Sequence, residues 1–592
     1  MNYSFDDYRK KVRGCFIGKS VGGTLGMPFE GNLSVNEVTY YDPVPTSMVA
    51  NDDLDLQVIA LELVRRRGLP VSANYLGELW QKNASCFPDE YGVANNNNSI
   101  GLCAPLTGYY SNRFYGGMGA AIRSELWACL APADPDLAVR LCREDASTDH
   151  YGDGVDACVF LTAVESYAFV ESDARKLIAK GLTYITGNKR MSSAFTDVQK
   201  WWDEYHDAVK VRTLILETYP SHNWTDVTIN LSLIILSWLA GEGDFSKCIC
   251  TAASLGYDAD CTCATLGAIL GLIDLDAIEE RWTWPIGDDL VLSRNIVGMH
   301  EAASIGDFCE QIFETCVEIQ KFYGSACALE GDLPAYTGAP AWTKFPTVAA
   351  LTPNDPLTLS VAALKPLTVK LVYPEKVAVM TGERTRFTLI VANPMSCEAK
   401  GRFTLRAPDG FVAEGGAEFS LAPGAQVSFD LFVTIPQRLR KVAYYNPLDI
   451  NFDLNGIGWT VTAGLAAPIP WLLDGVPTDM PGRITYFGPG AHVLETEFKL
   501  FVNQDNARVV AQGTRPLKAY LDGALFTDHD DKQYVPAMHR CKDMVTMDLK
   551  GEWLKVRIEI AEGDNQPGEV MFNVGTRFGW NWLTQLEWRL PE

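Results

Sequence analysis

The spacing of apolar residues changes close to residue 335, and this change limits the fold more than any other feature of the chain. Before it, apolar residues recur with the period of a helix in residues 56–67, 156–170, 228–240 and 262–272. After it, short runs of alternating apolar and polar residues follow one another, separated by turn residues, as in the strands of a β-sandwich. The sequence therefore predicts an all-α part followed by an all-β part.

A chain of 592 residues is too long for a single hydrophobic core, since domains of roughly 100–250 residues are usual. Prolines are frequent directly after the change in pattern and indicate a connecting segment. We predict an all-α catalytic domain over residues 1–335, a linker over 336–364, an immunoglobulin-like β-sandwich over 365–439, and a β-sandwich or jelly-roll accessory domain over 440–592.

The formal net charge of −24 bears on the partners of the protein. Such a field repels a phosphate backbone and an anionic lipid surface, so we expect neither nucleic acid nor a membrane as partner. The first residues lack the basic start and apolar run of a signal peptide, and no apolar stretch reaches the length of a membrane span. The 15 cysteines lack metal-type spacing and fit a reducing compartment. We therefore expect a cytoplasmic protein.

Two acidic clusters stand directly before apolar helical segments. One is Asn51-Asp52-Asp53, and the other is Asp258-Ala259-Asp260. Acidic residues at a helix start also cap the helix and favour its dipole, so each cluster alone has an ordinary structural explanation. If the two helix starts meet, however, the carboxylates repel one another unless a cation lies between them. Oxygen ligands of this kind suit Mg²⁺, with Mn²⁺ or Ca²⁺ as alternatives.

The order of several short motifs resembles that of the ADP-ribosylglycohydrolase family over about the first 330 residues. Residues 22–30 read GGTLGMPFE, similar to the family's G-D-A-L-G-x-P-x-E, and residues 51–53 resemble its T-D-D. Residues 256–261 read GYDADC, similar to G-x-D-x-D-T, and a helix with Gly267 and Gly271 follows. The resemblance implies an orthogonal all-α bundle that hydrolyses an N- or O-glycosidic bond in a small glycoside or an ADP-ribosylated substrate.

The resemblance also implies the roles of individual residues. One or two divalent ions would be held by Asn51, Asp52, Asp53, Asp258, Asp260 and, weakly, Cys261. Glu30 and Asp53 would be the catalytic residues, with Glu30 acting as an acid or base at the glycosidic bond. Asn51 and Cys261 stand where the family has threonine, and Gly23 stands where it has aspartate. A neutral thiol is a poor ligand for a hard cation, so the number of ions stays open.

Three segments between the acidic clusters are candidates to line a substrate cleft. The candidate substrate-binding residues are Asn98, Met118, Gly119, Arg123, His150, Gly152 and Asp153. Arg123 can bind a phosphate or carboxylate bidentately, or it can serve as an internal ion-pair partner. His150 and Asp153 lie in a polar, glycine-flanked loop, the kind of segment that often carries function. Asn98 lies in a run that is equally compatible with a surface loop.

Two alternatives to an ADP-ribosyl substrate follow from the departures and from the large C-terminal part. The enzyme could hydrolyse a different glycoside or a nucleoside-like sugar. The chain could also be a non-catalytic sugar- or nucleotide-binding protein on a degenerate hydrolase scaffold, which Gly23, Asn51 and Cys261 keep open.

Overall fold

The computed structural model forms two units, residues 1–85 with 115–344 and residues 86–114 with 345–592. The predicted order, helical and then β-rich, is confirmed. The structure describes residues 2–84, 89–299, 302–325, 328–330, 357–362, 366–530, 543–563, 567–576, 583 and 586–592.

The helices lie almost entirely in the first unit. In chain order, helices α1 to α17 are Phe5–Gly26, Asp52–Arg67, Ala73–Leu76, Leu79–Lys82, Asp89–Ser99, Leu106–Tyr109, Ser124–Leu130, Pro135–Ala146, Asp153–Tyr167, Ala174–Leu182, Lys189–Tyr205, Ala208–Thr218, Val227–Gly241, Phe245–Leu255, Ala259–Ile273, Glu280–Thr283 and Ile305–Tyr323. Short 3₁₀ turns cover Met27–Phe29, Ala121–Arg123 and Leu275–Ala277. The four helical segments predicted from apolar spacing coincide with α2, α9, α13 and α15. No helix in the described ranges has both the length and the apolar composition needed to cross a bilayer.

Helices α1 and α15 touch backbone to backbone along a row of small residues. The facing pairs are Gly14 with Gly271, Gly18 with Gly267, Gly22 with Cys263, and Gly26 with Ala259. A Cβ atom on Gly18 would lie 2.0 Å from the Gly267 carbonyl oxygen, so only glycine allows this approach. Gly267 and Gly271, which interrupt an otherwise apolar helix, thus serve its close packing on α1. Because the two rows run in opposite directions, the end of α1 meets the start of α15.

The start of α3 is fixed by a buried carboxyl group on α8. Glu144 accepts a hydrogen bond of 2.8 Å from the Ala73 backbone N–H, and burial raises the pKa of Glu144 to about 7. The folded protein therefore keeps this proton to a higher pH than the unfolded chain does, since an unperturbed glutamate has a pKa near 4.3. The resulting stability is complete below that value and is lost as the pH rises through about 7.

We expect Glu144→Gln to remove this pH dependence. The glutamine carbonyl still accepts the bond from Ala73 but cannot ionise. Relative to the wild type, the free energy of unfolding of the variant should rise by about 3 kcal/mol between about pH 5 and about pH 8. Urea denaturation at both pH values checks this, and parallel pH profiles of the two proteins would contradict it.

The strands form one small sheet in the first unit and two sandwiches in the second. In chain order, strands β1 to β22 are Asn2–Ser4, Ala328–Glu330, Thr358–Ala362, Thr368–Val372, Arg384–Ala392, Ala399–Arg406, Val412–Glu414, Gly416–Leu421, Gln426–Thr434, Pro447–Leu454, Ile457–Gly464, Ile469–Leu473, Val476–Met480, Ile484–Phe487, His492–Leu500, Gln504–Gly513, Leu517–Leu521, Ala524–His529, Met544–Leu549, Trp553–Ile560, Gly568–Gly575 and Leu586–Arg589. β1 and β2 pair in parallel, and the pairings in the second unit are antiparallel.

Each sandwich consists of two sheets that share an apolar core. The first contains sheets β3-β4-β5-β9-β7 and β11-β10-β6-β8, whose core includes Phe387 and Ile450. The second contains sheets β13-β12-β15-β20-β17-β18 and β14-β21-β16-β19, with β22 beside β15 and with Leu494 and Phe572 in its core. Alternating burial along strands such as β15 matches the sequence pattern that predicted them.

The structure differs from the predicted boundaries in two places. Residues 86–114 belong to the second unit, because Leu102, Leu106 and Tyr110 join the core of the first sandwich. The predicted boundary at residue 440 separates β10 and β11 from that sandwich, whereas β10 pairs with β6 and β11 pairs with β10. Most of the predicted linker, 336–364, lies outside the described residues, and its described part contains β3.

Candidate functional site

The first acidic cluster forms the start of α2. Asn51 is the N-cap residue, and its side-chain oxygen accepts a hydrogen bond of 2.8 Å from the Asp53 backbone N–H. Capping therefore accounts for Asn51 but not for the carboxylates that follow it. The Asp53 side chain is only 1% exposed. A carboxylate that is both buried and close to others needs compensation by a cation or by hydrogen bonds.

The second acidic cluster is held against the segment that follows Glu30. Tyr257 and Asn32 form a two-residue antiparallel bridge, and the Gly31 N–H donates to the Tyr257 carbonyl at 2.8 Å. Gly256 has φ of +70°, and a Cβ atom there would lie 2.3 Å from the Asn32 carbonyl oxygen, so a glycine is needed. The Asp258 N–H donates to Asn230 Oδ1 at 3.1 Å. These contacts connect Glu30 to the start of α15.

The structure brings the two acidic clusters together in the first unit. Three possible metal-ligand atoms lie within 4.8 Å of one another, one each on Asp53, Asp260 and Cys261. All three residues are buried. Asp53 Oδ1 and Asp260 Oδ1 have no hydrogen-bond partner among the described residues. Two buried carboxylate oxygens without a hydrogen bond, of which only that of Asp53 has an ammonium group nearby, form a set that a hard cation would satisfy.

Burial, and after it the charges of neighbouring carboxylates, shapes the ionisation of this cluster. Burial raises the pKa of Asp53 to about 6. Burial, and next the charge of Glu30, raise the pKa values of Asp258 and Asp260 well above the usual range. The neighbouring charge of Asp52 adds to the effect on Asp260. A bound cation would favour the charged forms and so reverse these shifts.

A buried lysine beside the cluster was not found by the sequence analysis. Lys19 Nζ lies 2.8 Å from Glu125 Oε1 and 3.5 Å from Asp53 Oδ1, and all three side chains are at most 1% exposed. Burial disfavours its charge, but the charges of Glu125 and Asp53 outweigh burial and raise the pKa of Lys19. Gln57 Nε2 donates to Glu125 Oε2 at 2.9 Å and to the Asp53 carbonyl at 3.0 Å. The network fixes the orientation of the first turn of α2.

We expect Lys19→Met to destabilise the protein by about 3–5 kcal/mol, because it leaves Glu125 and Asp53 buried without their cation. Chemical denaturation measures the loss. The matched control is Lys10→Met on the same helix, where Lys10 pairs with Asp276 in an exposed position and should change stability little. Equal stability of the two variants would show that the buried network is unimportant.

Two positions where the sequence departs from the family pattern are in contact. A Cβ atom on Gly23 would lie 2.7 Å from Asn51 Nδ2, and that nitrogen has no hydrogen-bond partner in the described part of the chain. The amide of Asn51 thus occupies space that a side chain at position 23 would need. Cys261 is the third position that departs from the family pattern, and its thiol donates to Asp53 Oδ2 at 3.5 Å. Burial, and then Asp258, raise the pKa of this thiol well above its usual range, which keeps it protonated.

Arg123 forms a second buried ion-pair network, next to Ile122, which Gln57 contacts. Its guanidinium binds Asp149 bidentately at 2.8 and 2.9 Å, Asp145 at 2.8 Å and the Gly119 carbonyl at 2.8 Å. These bonds correspond to the internal ion-pair role considered from the sequence. Gln57 Nε2 also donates to the Ile122 carbonyl at 2.9 Å. Arg123 therefore supports the segment that contacts α2, and a contact with substrate stays a prediction.

The other predicted substrate residues fall into separate groups. His150 is buried, with Nδ1 3.0 Å from Asp149 Oδ1. Asp153 begins α9 after Gly152, whose φ is +52°, and it accepts a bond of 2.8 Å from Asn188. Met118 is buried one residue before Gly119. Asn98 belongs to α5 in the second unit, so the structure does not group it with the acidic clusters.

Two solved structures are similar to parts of the chain. An ADP-ribosylglycohydrolase-related protein complex of known structure is 18% identical, with a TM-score of 0.37, and the match covers 53% of this chain and 98% of that one. A FixG-related protein from Vibrio parahaemolyticus is 9% identical, with a TM-score of 0.14, covering 17% of this chain and 96% of that one. At these TM-scores the similarities carry no information about function.

Sequence comparison is more decisive. No curated protein matches the chain. The profile of the ADP-ribosylglycohydrolase family matches residues 4–314, which is over half of the chain and includes both acidic clusters. On this match, the chain belongs to the ADP-ribosylglycohydrolase family.

Proposed function

We propose that this family member is a divalent-cation-dependent hydrolase of an N- or O-glycosidic bond, with a small glycoside or an ADP-ribosylated molecule as substrate. The observation that carries the proposal is the meeting of Asp53 and Asp260, two buried carboxylates with oxygens that lack hydrogen-bond donors. Lys19 lies 3.5 Å from Asp53 Oδ1, but no cationic side chain among the described residues pairs with Asp260, so a bound metal ion would relieve the repulsion between the two carboxylates.

The residues present fit Mg²⁺ or Mn²⁺, with Ca²⁺ as the larger alternative. Asp52, Asp53, Asp258 and Asp260 would hold one or two ions. Asn51 is less suited, because its side-chain oxygen already caps α2, and the protonated thiol of Cys261 suits a hard cation poorly. When bound, such a cation orients sugar hydroxyls and lowers the pKa of a coordinated water.

Glu30 and Asp53 are the proposed catalytic carboxyl groups. Glu30 is only half-buried and lies where the 3₁₀ turn after α1 ends, next to the bridge that leads to Asp258. It would hold the proton that the departing group needs when the glycosidic bond breaks. Carboxylates around the anomeric carbon would stabilise the positive charge that develops on the sugar. The network of Lys19, Gln57 and Glu125 would keep Asp53 in place for this role.

A substrate panel tests the proposal. It should contain ADP-ribosylated peptides, ADP-ribosyl small molecules, simple glycosides and nucleosides, each assayed with Mg²⁺ and with Mn²⁺. We expect turnover of at least one class, and a loss of about 100-fold or more in Asp53→Ala and Asp258→Ala, because charge stabilisation at a reacting centre has this size. Chelation with EDTA should have the same effect.

The matched control is Asp244→Ala. Asp244 is also an aspartate at a helix start, but it is exposed and caps α14 by accepting from the Lys247 N–H at 2.8 Å. The Asp244→Ala substitution should lower the free energy of unfolding by about 1 kcal/mol and leave activity unchanged. Full activity in Asp53→Ala and Asp258→Ala would refute the site. Binding of ADP-ribose without turnover of any substrate would favour the non-catalytic alternative.

A further inference from the structure

The second unit contains a cavity that the proposed hydrolase site does not use. Its volume is about 80 Å³, several times the space that one water molecule needs. Residues from both segments of the unit line it. The wall is largely apolar and includes Phe114, Ile469, Met571 and Trp588. An apolar wall with a few polar groups is the usual form of a small-molecule site.

One of the polar groups is the guanidinium of Arg483, which directly precedes β14. It donates to Asn573 Oδ1 and, at 2.6 Å, to the Leu583 carbonyl. Among the residues that the structure describes, no carboxylate pairs with it, and burial lowers the pKa of Arg483 to about 10. It therefore remains charged at neutral pH. Arg483 is half-buried, and a cation withdrawn from water with neutral partners only is costly, because its charge is left uncompensated.

Two other arginines of this unit, by contrast, have carboxylate partners. Arg113, which also lines the cavity, forms an ion pair with Glu569. Arg438 lies outside the cavity and contacts Asp479 at 2.8 Å. Arg483 thus retains an unmet preference for an anion at the cavity wall.

Two side-chain carbonyl oxygens at the cavity lack a hydrogen-bond donor. Asn96 Oδ1 and Asn97 Oδ1 are buried and have no hydrogen-bond partner within the described ranges, and both residues line the cavity. Asn97 is 1% exposed, and its Nδ2 donates to the Thr107 carbonyl at 3.0 Å and to the Tyr110 carbonyl at 2.7 Å. Because both carbonyl groups can only accept, the side-chain nitrogen of Asn97 must face them, and its oxygen is left without a donor.

We propose that this cavity binds a small organic monocarboxylate whose apolar body also carries a hydroxyl or N–H group. The carboxylate would pair with Arg483, the donor group would bond to Asn96 or Asn97, and the body would pack against Phe114 and Trp588. Arg483 and one of the two asparagine oxygens would then each be satisfied by one part of the ligand. The site is independent of the proposed hydrolase activity.

Paired probes test the site in the full-length chain. Sodium 4-hydroxybenzoate and 4-hydroxybenzamide have the same ring and hydroxyl group and differ in charge, and sodium benzoate lacks the hydroxyl. We expect 4-hydroxybenzoate to raise the melting temperature and to bind at least about tenfold more tightly than the amide, because only the carboxylate compensates Arg483. Benzoate should bind more weakly than 4-hydroxybenzoate.

Two variants locate the binding. Arg483→Gln should remove the preference for the acid over the amide. The matched control, Arg438→Gln, should keep it, since Arg438 has a carboxylate partner outside the cavity. If Arg483→Gln does not fold, the comparison of the three probes on the wild type decides alone. Equal binding of acid and amide, no binding of either acid at millimolar concentration, or unchanged affinity in folded Arg483→Gln would each overturn the proposal.

Discussion

Asp260→Asn is expected to weaken the binding of Mn²⁺ by more than about 100-fold and, in the metal-free protein, to increase stability. The two effects have one cause. Asp260 is a buried carboxyl group whose pKa is raised well above normal by burial and then by Glu30 and Asp258. Stability linked to its proton is present at low pH and is lost as the pH rises through the raised pKa. Asparagine cannot ionise, so the variant avoids this loss but offers no charge to a cation.

Calorimetric titration with Mn²⁺ and urea denaturation in EDTA measure both effects. The matched control is Asp207→Asn, at an exposed aspartate that caps α12 by accepting from the Lys210 N–H at 3.0 Å. It should leave both quantities nearly unchanged. If Asp260→Asn instead lowers the metal-free stability and leaves Mn²⁺ binding intact, Asp260 has a structural role only.

Gly18→Ala is expected to destabilise the protein by about 3 kcal/mol or more, which is the upper range for overpacking. The added Cβ atom would lie 2.0 Å from the Gly267 carbonyl oxygen, and this neighbour is backbone of a buried helix rather than a flexible side chain. Helices α1 and α15 would have to separate. Since the row to which this contact belongs holds the start of α15 against the end of α1, the affinity for Mn²⁺ should fall together with stability.

Gly187→Ala provides the matched control within the same unit. A Cβ atom on Gly187 meets no atom within 4 Å, and its φ is not in the left-handed region. Thermal and urea denaturation of both variants, followed by Mn²⁺ titration of the folded fraction, check the prediction. If Gly18→Ala were as stable as Gly187→Ala and bound Mn²⁺ normally, the glycine row would not position the acidic cluster.

The acidic residues could be predicted from sequence because they stand in short clusters at helix starts, where a local pattern is visible. Lys19 and Glu125 could not. Each is a charged residue that belongs to no acidic or metal-type cluster in the sequence, and their ion pair joins positions 106 residues apart. The contact of Gly23 with Asn51 could not be predicted either. Each residue departs from the family pattern, but the sequence does not show that the two are close in space.

The class of each part of the fold was predictable because period 3.6 and period 2 are local properties of the chain. The assignment of segments to cores was not. Helix α5 carries a polar run that indicates no partner, and only the burial of Leu102 and Leu106 places its neighbourhood in the first sandwich. Similarly, alternation identifies β10 as a strand but cannot tell that it pairs with β6.

The second unit is built from two separate segments, residues 86–114 and 345–592, and this affects its folding during translation. Leu102, Leu106 and Tyr110 leave the ribosome long before the strands that cover them. At translation rates of roughly 5–20 residues per second, the wait for β11, the last strand of that sandwich, is about 20–70 s. During that time an apolar segment stays uncovered on the nascent chain. A chaperone that binds such segments should therefore stay on this polypeptide until the strands of the first sandwich are made. On a chain truncated before residue 345, the chaperone should remain bound.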